Sequence, residues 1–142
     1  MELVLPWPPS VNSMWRNIVV GGQPRTLLCQ EGREYRKTVQ RVIRRLAITE
    51  GFAGRVSVCI HACPPDHRRR DLDNVLKGAL DALTHAGVWA DDSLVDSLLI
   101  TRGQVKDAGL LYITIEALPE VQSALPIDEQ PKAKRAEPTL EF

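Results

Sequence analysis

Two carboxylates one residue apart, Asp71 and Asp73, follow directly on three consecutive cations, Arg68, Arg69 and Arg70, and Lys77 stands four positions beyond the second acid. Acids this close repel unless a cation lies between them, and arginine is the side chain whose planar fork matches phosphate oxygens. A phosphodiester held over a divalent metal satisfies both halves of the segment. In an extended or capping conformation the two aspartates share a face and can share an ion, whereas inside a helix they diverge. The metal reading therefore requires a helix that begins at or near Asp73 with Asp71 outside it, and aspartate is a favoured N-cap. Lys77 then falls on the helical face of Asp73, placed to offset charge developing on a phosphoryl group or to orient an attacking water.

A second acid pair, Asp91 and Asp92, follows Trp89. Carboxylates from two segments, completed by phosphate oxygens and water, suit a hard cation, and oxygen-only ligands point to Mg2+ rather than to zinc. The plainer role for such acids is capping, where each contributes about 0.3–1 kcal/mol at a helix start. The conjunction of arginines, lysine and a second acid pair favours the metal. A zinc site built from Cys59, His61 and Cys63, with His67 beyond, is disfavoured because three ligands along one extended strand do not converge.

Net charge is zero, from 18 basic and 18 acidic residues, but its distribution is split. From Arg16 to Arg70 there are 12 Lys or Arg against 4 Asp or Glu; from Asp71 to Glu116 there are 3 against 8. A basic tract adjoining an acidic cluster is what a phosphate-gripping surface around a metal requires. Three cysteines are too few and odd for a disulfide framework, and no stretch is apolar enough to span a membrane, so a cytoplasmic location is expected.

These residues need a scaffold. Glu2 to Leu5 reads as a strand stopped by Pro6, Pro8 and Pro9, and Val11 to Leu28, with Gly21, Gly22 and Pro24, as a long loop with a strand near Leu27. Within it Asn12, Trp15 and Arg16 can present polar groups to a ligand beside the proline turn. Tyr35, Val39, Val42, Ile43 and Leu46 predict a basic amphipathic helix over 32–49. Val56, Val58, Ile60 and Ala62 alternate as one face of a strand over 55–62. Leu72, Leu76, Ala79, Leu80 and Leu83 predict a second helix running to Gly87, and strands follow at 95–102 and 110–117. The expected class is α+β, a small mixed sheet with helices packed on it, in the order strand, helix, strand, helix, strand, strand. One folded unit over 1–117 and a disordered proline-containing tail over 118–142 are expected.

The runs Leu5-Pro-Trp-Pro-Pro-Ser-Val-Asn12, Glu31-Gly32 with Tyr35-Arg36, Arg68-Arg-Arg-Asp-Leu-Asp-Asn74 with Lys77, Asp81-Ala-Leu83 and Gly87-Val-Trp-Ala-Asp-Asp92 closely resemble the RusA family of Holliday-junction resolvases. The similarity runs from about residue 3 to residue 117; the loop from Asn17 to Gln30 and the tail depart from the family pattern. The resemblance implies a small homodimeric endodeoxyribonuclease of phage or prophage origin that binds four-way junction DNA and, with Mg2+, nicks opposing strands. It places the acidic metal ligands on Asp71, Asp73 and Asp92, the essential lysine on Lys77 and a DNA-contacting arginine on Arg70; from residue type and position alone, Arg68, Arg69, Asn12 and Arg16 are expected as further DNA-binding residues. Two other readings are a nuclease acting on other branched or flap DNA and a non-catalytic DNA-binding module.

Overall fold

In the computed structural model, residues 1–119 are described. They form β1 (Glu2–Pro6), α1 (Val11–Met14), β2 (Trp15–Val20), β3 (Gln23–Leu28), α2 (Gln30–Arg45), β4 (Val56–Cys63), α3 (Leu72–His85), a short 3₁₀ turn (Asp92–Leu94), β5 (Val95–Arg102) and β6 (Leu110–Ala117). The main sheet has strand order β1-β6-β4-β5, with β4 and β5 parallel and the other pairs antiparallel. The α+β class and mixed sheet thus agree with expectation. The tail lies, from residue 120 on, outside the described residues.

One face of the sheet carries the core. Val56, Val58, Ile60 and Ala62 of β4 are all buried, with Leu3 and Leu5 of β1 and Leu111, Ile113 and Ile115 of β6 beside them. Onto this face pack Tyr35, Val39 and Ile43 of α2 and Val75, Ala79, Ala82 and Leu83 of α3. The two helices are tied by a bidentate pair in which Arg36 donates to both oxygens of Asp81 at 2.8 and 3.0 Å. α3 ends where Gly87, at φ 81°, lets Val88 N–H reach the Leu83 carbonyl at 3.1 Å and Gly87 N–H reach that of Thr84 at 3.0 Å. That closes the last turn as a glycine C-cap does.

The segment over 11–28 differs from the expected loop. Val11–Met14 is one helical turn capped by the Ser10 side chain, and β2 and β3 pair antiparallel as a hairpin turned by Gly21 and Gly22, both at positive φ. Paired positive φ at a two-residue turn matches the right-handed twist of the arms. The arms lack alternation because both their faces are largely solvent-exposed, which is why hydrophobic period alone does not reveal them. Their base is seated by close approach: a Cβ on Gly32 would meet Leu28 Cδ1 at 2.6 Å, and one on Gly78 would meet Met14 Sδ at 2.9 Å and Pro8 Cβ at 3.2 Å. The proline turn, α1 and the hairpin root are thereby locked against α2 and α3.

The connection β4, α3, β5 decides where the acids stand. Parallel neighbours need a crossover, and here α3 carries the chain back along the sheet. Residues after β4 and residues at the end of β5 consequently lie at one end of the sheet, and residues that lead into β5 lie at the other.

Candidate active site and nucleic-acid interface

At the carboxyl end of β4 and β5, where parallel strands present their ligands, the chain makes a tight polar turn. Asp66 accepts from the Arg68 backbone N–H at 2.9 Å and receives both forks of the Arg70 guanidinium, Nη1 on Oδ1 and Nη2 on Oδ2, the latter at 2.8 Å. That pairing holds the Asp66 carboxyl well below the usual carboxylate range, first through the Arg70 hydrogen bonds and then through the Arg68 backbone N–H. Arg102, the last residue of β5, donates to the Arg70 carbonyl at 2.7 Å and ties the turn to the sheet. Because these groups are open to solvent, the ion pair adds little net stability; its effect is on the shape of the turn.

Asp71 is the N-cap residue of α3 by its backbone, φ −83° and ψ 136°, yet its side chain makes no capping hydrogen bond. The capping role weighed for it is therefore not the one its carboxylate plays. Asp73 lies in the first helical turn, and both acids are exposed. The helix starts one residue earlier than the metal reading requires at its limit, with Asp71 outside as that reading demands. Lys77 lies one turn further along, its ammonium 5.0 Å from the ring centroid of Trp15 at the hairpin root. This cation–π contact, worth about 0.5–2 kcal/mol, fixes the lysine without consuming its hydrogen-bond donors.

Asp91 and Asp92 are elsewhere. Asp91 caps the 3₁₀ turn, its side chain accepting from Ser93 N–H at 2.9 Å, and the Ser93 side chain first and its N–H second lower the Asp91 pKa. Asp92 is exposed beside it. Arg55, just before β4, donates to the Ser93 carbonyl at 2.8 Å, and Val56 pairs with Val95, so this turn sits at the amino end of the parallel strands. α3 has 14 residues, about 21 Å at 1.5 Å each, and separates it from Asp71 and Asp73. One chain brings Asp71, Asp73, Lys77 and the arginines together and leaves Asp92 apart. Among the described residues no group of three or more His, Cys, Asp or Glu converges on a common point. As for fit, two uncapped, exposed carboxylates are the usual protein share of a Mg2+ site, in which waters and substrate phosphates complete the shell.

The other predicted residues are placed as follows. Arg68 is almost free, with 85% of its side chain exposed, whereas that of Arg70 is 25% exposed and paired with Asp66. Asn12 and Arg16 line a second hollow, together with Ser13, Gln30, Glu31 and Glu34. Cys59 is exposed, Cys63 buried, and His61 Nδ1 stands 3.0 Å from Thr101 Oγ1. Trp89 is buried, its indole N–H donating to Thr84 Oγ1 at 2.7 Å. Asp66 and Arg102 were missed by residue reasoning. The spacing of Asp66 and Arg70, four apart with opposite charge, was the available signal for the first.

A family model described as Endodeoxyribonuclease RusA matches residues 6–116, from the last residue of β1 to the penultimate residue of β6. The chain belongs to the RusA endodeoxyribonuclease family. Among curated relatives, the crossover junction endodeoxyribonuclease rusA of Enterobacteria phage HK97 is 42% identical over 120 residues, covering 84% of this chain and 97% of the relative. The crossover junction endodeoxyribonucleases RusA of Shigella sonnei (strain Ss046) and Escherichia coli (strain K12) are each 42% identical over 114 residues, 80% of this chain and 92% of theirs. Set on the RusA-family fold, several of the motif residues are architectural. Tyr35 donates its hydroxyl to the Pro6 carbonyl at 3.1 Å, burial raising its pKa, and Arg36 and Asp81 clamp α2 to α3. Among the described residues no helix is long and apolar enough to cross a membrane.

Proposed function

We propose that this chain is a Mg2+-dependent endodeoxyribonuclease that resolves Holliday junctions by paired nicks in opposing strands, acting in the cytoplasm as a homodimer whose nuclease unit is residues 1–117. The observation that carries the reading is the uncapped Asp71 beside Asp73, one turn from Lys77 and flanked by the arginine turn, in a chain of the RusA family. A bound divalent cation would supply polarisation of the phosphate and a lowered pKa for an attacking water. The chain's own groups do the rest. Asp71 and Asp73 would hold the cation, Lys77 places positive charge where the phosphoryl group gains negative charge, and the free arginines grip the backbone.

Asp92 has a place in this reading only if a second copy supplies it. β5 is an edge strand, exposed along most of its length and with Leu99 at 56% exposure, and it runs from the Asp92 turn to Arg102 beside the Asp71 turn. An exposed apolar edge of this kind is a template for pairing. A two-fold, antiparallel association along β5 would carry the partner's Asp92 towards this chain's Asp71 and Asp73 and give two equivalent sites, matching the approximate two-fold symmetry of a four-way junction.

Subunit mixing tests this directly. Asp73→Asn and Asp92→Asn proteins, each nicking junctions poorly alone, are denatured together, refolded and assayed with Mg2+. Heterodimers then contain one intact composite site, and single-strand nicking returns to roughly a quarter of the wild-type rate, from statistical pairing with one working site per heterodimer. No recovery would mean that all three acids act within one chain. No nicking of junctions by wild-type protein, with or without EDTA, would overturn the nuclease reading itself.

A further inference from the structure

Between the arginine turn and the end of β5 lies a cavity of about 490 Å³, lined by Arg68, Arg69, Arg70 and Asp71 on one side and Arg102, Gly103 and Gln104 on the other. We propose that this cavity is a seat for a DNA backbone phosphate flanking the cleaved one, that Arg102 is a phosphate contact in it, and that Arg70 is a positioning residue rather than a phosphate ligand; the proposal rests on the nuclease reading above.

Three observations carry it. First, three of the five donors of Arg70 are already engaged inside the turn: Nη1 and Nη2 bind the two oxygens of Asp66, and Nη1 also approaches the Arg68 carbonyl at 3.3 Å. A guanidinium held bidentately by an ionised carboxylate presents little net charge to a second anion. Second, among the described residues Arg69 and Arg102 have no acidic partner within 4.0 Å, and both are exposed. Arg102 spends one donor on the Arg70 carbonyl, and a guanidinium has five. Third, the one acid of the cavity wall beyond Asp66 is Asp71, so a cationic hollow opens directly beside the candidate metal ligand. An anion there would lie one step along the strand from a phosphate over the metal. Asp66 and Arg70 act as an internal strut: the Asp66 oxygens organise residues 66–70 into a closed ring, and Arg102 bolts that ring to β5.

The roles separate in the salt dependence of junction binding, measured in EDTA so that no cleavage intervenes. Each phosphate neutralised on duplex arms contributes about 0.9 to the slope of log K against log salt concentration. Arg102→Gln is expected to reduce that slope by about 0.9, whereas Arg102→Lys, which keeps a charge and loses the fork, retains it. Arg70→Gln is expected to leave the slope within about half of one phosphate's share while slowing Mg2+-dependent nicking. Asp66→Asn slows nicking to the same degree, the double variant is no slower than either single one, and Asp66→Glu restores most of the rate. Equal melting temperatures and circular dichroism establish that each variant is folded. The seat is overturned if Arg102→Gln keeps the wild-type slope, and the strut if Arg70→Gln loses a full phosphate's share while Asp66→Asn nicks normally. Wild-type protein that binds no four-way junction would instead remove the reading on which both stand.

Discussion

The arginine turn before α3 and the β2–β3 hairpin are both cationic and both on the surface, yet they are built in opposite ways. In the turn, Asp66 collects a backbone N–H and a whole guanidinium, and Arg102 closes the far side, so the polar contacts run inward and fix the backbone. In the hairpin, the side-chain contact between the arms is Thr26 Oγ1 donating to Asn17 Oδ1 at 2.9 Å, while Arg16, Arg25, Val19, Val20 and Leu27 face solvent. A two-stranded ribbon with so little to pack against is marginal by itself in water. It owes its place to a root wedged between Gly32 and Met14. Residue type alone therefore does not assign a role. The same guanidinium is a strut where a carboxylate meets it and a free hand where none does.

The largest effect that sharpens this contrast belongs at the rigid end. Asp73→Asn should lower junction nicking more than about 100-fold, at least the loss expected for removing an outer partner of a metal ligand, with junction affinity in EDTA retained; undiminished nicking by the pure variant refutes its role as a ligand. Next comes the residue that bridges the two regions. Lys77→Met should cost about 10²–10³ in single-turnover rate if it stabilises transition-state charge, with little change in binding. A smaller effect is expected at the hairpin, where Gly21→Val must hold a β-branched residue at positive φ, at about 1–2 kcal/mol. That substitution should weaken junction binding roughly in proportion while leaving the rate for bound junction near wild type, and an equal loss in the bound rate would make the hairpin part of the catalytic end. The smallest is Arg36→Gln, which loosens α2 from α3 by about 1 kcal/mol and should shift the melting temperature by a few degrees without touching the salt slope.

How much of this was readable from residues follows the same division. The helix start at Asp71 and Asp73, the buried face of β4 and the glycine stop after α3 were legible because each rests on a local rule of capping, alternation or left-handed conformation. The hairpin was not, since its arms have no buried face to impose a period; two β-prone runs separated by Gly21-Gly22 were the signal that turn chemistry offered. The position of Asp92 was missed for a topological reason. The hydrophobic pattern predicts strands on either side of α3 but does not say that β4 and β5 run parallel, and only a parallel pair forces the start of β5 to the far end of the helix. Asp66 is harder to read: its i, i+4 spacing to Arg70 signals a pair, but Arg68, Arg69, Asp71 and Asp73 crowd the same stretch and offer competing pairings.

The contact between Lys77 and Trp15 gives the molecule an optical readout of its own. An ammonium poised over an indole perturbs the excited state of that ring, while Trp89 is sealed in the interior with its N–H already engaged. When DNA draws the lysine towards a phosphate, the emission of Trp15 should change and that of Trp89 should not, so the arrival of substrate at the reactive end can be followed in the unlabelled protein, in real time and before any strand is cut.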